Sequence, residues 1–198
     1  EQYNKSIKIK EQLQDAEGLA KTLNNIGETY FYLGDYNNAN TSFIKSIGLT
    51  KSDDLIFENK KYLGMTHYEI SNYDSSRLYL ESADNYFKAV TEKRLSILPV
   101  LIMSSKKTKN ESMANDLLEE LKKLNEQHEP IAKEYIISNY YAFETMKNFN
   151  RKSDAELFLE NAYLEMKSKS KDIKNKSDRN KYLNTLLHKK IAQAWADK

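Results

Sequence analysis

The apolar positions of this chain recur at helical spacing near its start. Between residues 17 and 33 they fall at i, i+3, i+4 and i+7, which is the period of a helix that buries one face. Gly34 and Asp35 then interrupt the pattern, because glycine readily takes the left-handed conformation that ends a helix. The pattern resumes from about residue 37 to residue 49. The two segments therefore predict a pair of antiparallel helices joined by a tight turn.

The same order of large and small residues returns along the chain. Residues 2–7 match residues 42–47 at a displacement of 40, and Ile26–Gly27 match Leu63–Gly64 at a displacement of 37. Repetition at such a period indicates a helical repeat. We place a half repeat at 1–14, full repeats at 17–50, 53–88, 91–127 and 130–169, and a terminal capping helix at 178–198. Nine or ten helices and no sheet are expected.

Single residues set the expected boundaries in the second half of the chain. Asn110 is a good helix cap, as is Asp178 for the last helix. Pro130 suits the first position of a helix. Pro99 lies inside a predicted helix, where it removes one backbone hydrogen bond and is expected to kink the axis.

Small residues stand where two helices of a hairpin are expected to cross. Gly27 lies in the middle of a predicted helix, where glycine costs about 1 kcal/mol relative to alanine, so its presence indicates a packing reason. Gly64, Ala39, Ala114 and Ala155 occupy comparable places. Large residues are expected to fill the gaps beside them.

Composition fits a helical repeat and excludes several other classes. The 198 residues include five glycines, two prolines and no cysteine, which excludes disulfides and thiolate metal sites. The formal net charge of +2 gives no global field that would favour nucleic acid. The longest strongly apolar run, residues 97–103, is too short to span a bilayer. The chain opens inside a repeat, so we expect a part of a longer protein. The absence of cysteine leaves the compartment open, with the cytoplasm as the favoured location.

The repeat resembles the tetratricopeptide repeat family. The resemblance is strongest over residues 20–50, is fair over 57–84 and 150–166, and is weak over 95–127. It implies an all-α, right-handed superhelical solenoid whose concave face, lined by the first helix of each hairpin, binds a peptide or a partner's helix. The residues that carry it are Leu23, Asn24, Asn25, Ile26, Gly27, Glu28, Thr29, Tyr30, Leu33, Gly34, Asp35, Tyr36, Ala39 and Phe43.

The resemblance also implies which residues would face a ligand. In several peptide-binding members an asparagine of the concave face grips the ligand backbone, since an amide both donates and accepts hydrogen bonds. The alternative is that Asn24 and Asn25 are solvated helix residues, and that the tyrosines fill gaps between helices. The residues carried over are Lys21, Asn24, Asn25, Glu28, Phe31, Lys61, Tyr62, Met65, Tyr68, Tyr140, Tyr141 and Glu144.

Catalytic and metal-binding patterns are missing from the sequence. His67, His128 and His188 lie in different predicted repeats without a ligand-spaced partner, and the glycines are scattered singly. We therefore expect no catalytic residue, no metal and no cofactor. The basic run over residues 167–181 is interpreted as a solvated linker rather than a contact for phosphate or lipid.

The predicted function is a protein- or peptide-binding module. Residues 182–195 are similar to the closing helix of repeat arrays in bacterial multidomain signalling proteins, which implies a regulatory or sensor region of such a protein. The expected partner is a protein or peptide, with no nucleic acid and no membrane span. The alternatives are a peptide-pheromone receptor array and a structural scaffold that self-associates through its open amino-terminal repeat end.

Overall fold

The protein is all-helical. The computed structural model describes residues 2–198, apart from the side chains of Gln2, Tyr3, Asn4 and Ser6. Within that range it has eleven helices and no strand. The chain divides into two compact units, unit 1 (Glu1–Tyr86) and unit 2 (Phe87–Lys198). Tyr3 corresponds to Phe43 in the predicted repeat with a displacement of 40, but its side chain lies outside the described part of the structure.

Unit 1 holds five helices. These are α1 (Gln2–Gln12), α2 (Ala16–Leu33), α3 (Tyr36–Leu49), α4 (Asp53–Glu69) and α5 (Tyr73–Tyr86). Helices α2 and α3 form one antiparallel hairpin, because Ser46 near the end of α3 donates to the Ala20 carbonyl near the start of α2. Helices α4 and α5 form a second. The predicted boundaries of α2 and α3 are confirmed to within one residue.

Within each hairpin of unit 1, the two helices cross at a glycine. A methyl group on Gly27 would lie 2.5 Å from Cε1 of Phe43, and one on Gly64 would lie 2.5 Å from Cγ of Leu80. Both pairs are related by the same step of 37 residues, and Phe43 and Leu80 are fully buried. The packing role predicted for Gly27 is therefore confirmed, as is the burial of Ala39.

Unit 2 holds six helices. These are α6 (Thr91–Lys107), α7 (Glu111–Asn125), α8 (Tyr135–Asn148), α9 (Lys152–Asp172), α10 (Lys176–Leu183) and α11 (Leu186–Ala196). Helix α6 packs against α7 and α8, α8 pairs with α9, and α11 lies against α9. Helices α6 and α8 run parallel, since Thr145 donates to the Pro99 carbonyl and Lys106 donates to the Asn148 carbonyl.

Five of the turns, found in both units, follow one pattern. A single left-handed residue occurs at Gln14, Gly34, Ser71, Lys109 and Asn150, with φ between 53° and 82°. In each case the next amide donates to the carbonyl five residues back, as Asp35 does to Tyr30 and Arg151 to Met146. This is the hydrogen bond of the Schellman motif, which satisfies a carbonyl at the end of a helix. All five helix ends are thus closed by the same local chemistry.

Several predicted boundaries in unit 2 are wrong. Helix α8 begins at Tyr135 rather than after Pro130, because residues 128–131 have no regular secondary structure and 132–134 form a turn. Asn175, not Asp178, caps α10 by accepting from the Asp178 amide at 3.1 Å. The cap at Asn110 is confirmed, and α6 runs without a break through Pro99.

The single terminal helix predicted at 178–198 is two helices. Thr185 takes an extended conformation and its hydroxyl accepts from the His188 amide, so that a new helix starts at Leu186. This break accounts for part of the difference between the eleven observed helices and the nine or ten expected. The basic run is also mostly helical, because α9 continues to Asp172 and α10 starts at Lys176.

Candidate functional site

Most of the residues carried over from the resemblance are buried. Four are at least partly accessible to solvent: Lys21 and Asn25 are exposed, while Tyr68 and Glu144 are half-buried. The other eight are less than a tenth exposed and lie in the packed interior. They are Asn24, Glu28, Phe31, Lys61, Tyr62, Met65, Tyr140 and Tyr141.

Asn24 takes part in a buried chain of hydrogen bonds between three helices of unit 1. Its side-chain amide donates to Oδ1 of Asn59 on α4 at 3.2 Å. The Asn59 amide in turn donates to Oγ of Ser46 on α3 and to the Leu55 carbonyl, at 3.0 and 2.7 Å. Ser46 donates onward to the Ala20 carbonyl of α2 at 2.8 Å. Its partner in the fold is therefore Asn59.

The neighbouring Asn25 does not take part in this chain of hydrogen bonds through its side chain and is exposed. It is exposed together with Lys21, one helical turn earlier on α2. Tyr68 is on α4, nine residues beyond the level at which Asn59 meets Asn24. Nine helical residues span about 13 Å, so Asn25 and Tyr68 sit at different heights on two parallel helices.

The large buried residues of the predicted site form an aromatic cluster. The Tyr62 ring stacks on Phe43 with a centroid distance of 5.4 Å and meets the edge of Phe31 at 5.8 Å. Lys61 is fully buried and pairs with Glu58 at 2.6 Å. In unit 2 the Tyr140 ring packs edge-on against Tyr141. These residues hold the helices together.

Groups with displaced pKa values are spread over different hairpins. In unit 1, burial lowers the pKa of His67, whose ring stacks on Tyr79. In unit 2, a hydrogen bond from Arg94 lowers the pKa of Glu120, and the two groups lie 2.7 Å apart. Burial also raises the pKa of Tyr182 to about 12 and lowers that of His188.

The described residues hold no group of three or more histidine, aspartate or glutamate side chains placed to bind a metal ion. Over the same range, no helix combines the length and the apolar character needed to cross a membrane.

Sequence reasoning missed one groove. It lies in unit 2 between α8, α9 and the last turn of α11, and its volume is about 460 Å³. Apolar side chains line it, and lysines and two carboxylates stand around it. Because three separate helices contribute, no spacing along the chain could have indicated it. The residues of this groove, called here the carboxy-terminal groove, are Phe143, Lys147, Asn150, Lys152, Ala155, Glu156, Leu159, Ala194, Asp197 and Lys198.

Comparison with known proteins gave no match. No family model, no curated protein and no solved structure is detectably similar to the chain.

Proposed function

We propose that the chain is a protein- or peptide-binding repeat module, built as a right-handed solenoid of the tetratricopeptide type. The observation that supports this most is that the same type of turn and the same type of helix crossing occur in both hairpins of unit 1. The Schellman turns recur at Gly34 and Ser71, and the glycine crossings at Gly27 and Gly64, with the same step of 37 residues. In a solenoid each repeat contacts only its neighbours, so an extended surface of first helices is left open for a partner.

Its role would be that of a regulatory or sensor region within a larger bacterial signalling protein. This part of the proposal rests on the resemblance of residues 182–195 to the closing helix of repeat arrays in such proteins, although this region forms two helices, α10 and α11. It also rests on the module's expected use as a docking surface. A partner binding across several hairpins would make them more rigid together, which is one way such an array can pass a signal.

The accessible members of the predicted strip are where the proposal is tested. Lys21 and Asn25 share one exposed face of α2, and an asparagine amide can satisfy both polar groups of an extended peptide. Purified protein would be used to select ligands from a displayed peptide library. Asn25→Ala should then weaken the selected peptide roughly two- to tenfold, the loss expected for one neutral hydrogen bond.

Asn37 provides the matched control. It is an exposed asparagine on α3, the second helix of the same hairpin. Asn37→Ala should leave the affinity unchanged. Equal losses for both variants would remove Asn25 from the binding surface. A library that yields no peptide binder would contradict the proposed function.

Self-association is a second candidate because α1 and the turn after it leave apolar residues uncovered. Ile9 and Leu13 are 55% and 71% exposed at the amino-terminal end of unit 1. Burial of such apolar surface contributes about 25 cal/mol per Å², which would favour a contact between two copies. Light scattering should show a dimer that Leu13→Lys dissociates, whereas Leu157→Lys, at another exposed leucine on α9, should not. A monomer at all concentrations would exclude this candidate.

A further inference from the structure

The carboxy-terminal groove has an apolar lining. Phe143 comes from α8, Ala155 and Leu159 from α9, and Ala194 from α11. Phe143 and Leu159 are almost completely buried, so the surface they offer is only the part that faces the groove. The volume of about 460 Å³ lies within the range of about 300–1,000 Å³ typical of ligand pockets. Apolar side chains of a partner would fit it.

Two ammonium groups at the groove are held by aromatic rings. Lys147 Nζ lies 5.6 Å from the ring centre of Phe143, and Lys198 Nζ lies 4.9 Å from that of Trp195. The Trp195 ring stacks on the Tyr163 ring, with a distance of 4.5 Å between the ring centres. Among the described side chains, neither of the two lysines forms an ion pair with a carboxylate.

The carboxylates of the groove are already engaged. Glu156 lies 3.9 Å from Lys152, and Asp197 accepts two hydrogen bonds from Gln193 at 2.9 and 3.0 Å. Because the Gln193 amide is neutral, Asp197 keeps its charge, and the lining side chains, three lysines against two carboxylates, carry a net charge of +1. Complementary charge on a partner speeds association and selects the correct ligand.

We propose that the carboxy-terminal groove docks an acidic peptide segment of a partner protein, in which adjacent apolar side chains are flanked by carboxylates. The apolar side chains would contact Phe143 and Leu159, and the carboxylates would pair with Lys147 and Lys198. This inference rests on the proposed function as a peptide-binding module, and it adds a second surface, distinct from the Lys21–Asn25 face, with a defined ligand class.

The test uses an octapeptide of the order Ser-Glu-Glu-Leu-Leu-Glu-Glu-Ser, blocked at both ends. Two matched probes replace its glutamates by glutamines, or its leucines by serines. Binding to the full chain is followed by NMR chemical-shift perturbation at low and high salt. The acidic probe should perturb the groove residues and bind about fivefold more tightly than the glutamine probe, with the difference lost at high salt.

Charge reversal at the groove supplies the decisive comparison. Lys147→Glu should abolish the preference for the acidic probe. Lys174→Glu changes an exposed lysine of the α9–α10 connection by the same charge and should leave that preference intact. Both lysines are exposed, and circular dichroism would verify that the variants fold.

The inference is overturned if the acidic probe does not bind, if it binds no better than the glutamine probe, or if Lys174→Glu acts as strongly as Lys147→Glu. Its failure can be told apart from failure of the proposed function. Library-selected peptides that depend on Asn25 would leave the peptide-binding module intact even if the groove binds no acidic probe.

Discussion

At the scale of single residues, the fold depends on where the smallest side chains lie. Gly27 and Gly64 allow a ring or a branched side chain of the second helix to touch the backbone of the first. Gly48 lies on the exposed side of α3 and has no atom within 4 Å of the position a methyl group would take. Of these three glycines, Gly27 and Gly64 are therefore required by packing and Gly48 is not.

This difference predicts opposite effects for one substitution. Gly27→Ala should destabilise the protein by about 1–3 kcal/mol, because Phe43 is buried against Tyr62 and cannot move aside without strain. Gly48→Ala should instead stabilise it by up to about 1 kcal/mol through helix propensity. Urea unfolding of the two variants measures both values. A gain in stability for Gly27→Ala would contradict the packing role of this glycine.

The buried series of hydrogen bonds that runs from Asn24 through Asn59 and Ser46 to Ala20 connects three helices, α2, α3 and α4. Asn59→Ala should cost about 1–3 kcal/mol, because the Asn24 amide would be left buried without its acceptor. Asn25→Ala, next to Asn24 but exposed, should change stability by less than about 0.5 kcal/mol. Thermal unfolding of the two variants compares them directly. Similar losses of stability in the two variants would show that the cost of Asn59→Ala does not come from leaving the buried Asn24 amide without its acceptor.

At the scale of elements, the sequence predicted which segments are helical but not all of their ends or neighbours. The period of apolar residues and the caps at Gly34 and Asn110 placed most helices correctly. The break before α11 depends on a local cap at Thr185 that competes with a continuous helical pattern. The burial of Asn24 depends on α4, a third helix that brings Asn59 beside it. Spacing within one hairpin carries no information about that third contact.

The connection between α10 and α11 is expected to respond to acid. The neutral His188 ring donates from Nδ1 to the Tyr182 carbonyl at 2.6 Å and packs on the Tyr182 ring. Burial lowers the pKa of His188 below its ordinary value of 6.5, the hydrogen bond to Tyr182 opposes this, and Lys169 adds to the lowering. The unfolded chain therefore binds a proton more readily than the folded one. The contribution of the neutral ring is complete above pH 6.5 and is lost as the pH falls below 6.5 through the folded pKa.

Comparison with a ring that cannot titrate isolates this effect. The unfolding free energy of the parent should fall more steeply between about pH 7 and pH 5 than that of His188→Phe. His67, whose pKa is also lowered, is present in both proteins and so cancels from the comparison. An NMR titration should give His188 a pKa below 6.5. Parallel stability curves would show that His188 makes no contribution of this kind.

At the scale of the whole molecule, the proposed solenoid makes a prediction about cooperativity. Phe43 in unit 1 and Leu159 in unit 2 are both almost completely buried and correspond in the two hairpins. Substitution of either by alanine should cost about 2–5 kcal/mol. In a repeat array the stability is approximately the sum of the stabilities of single repeats and of their nearest-neighbour contacts, so the loss should stay near the changed hairpin.

Native-state hydrogen exchange would follow each amide in both variants. Phe43→Ala should accelerate exchange in α2–α5 and leave α8–α9 almost unchanged, and Leu159→Ala should do the reverse. If either substitution raised exchange equally in all helices, the chain would unfold as one cooperative body, and the solenoid would have to be replaced by a single shared core.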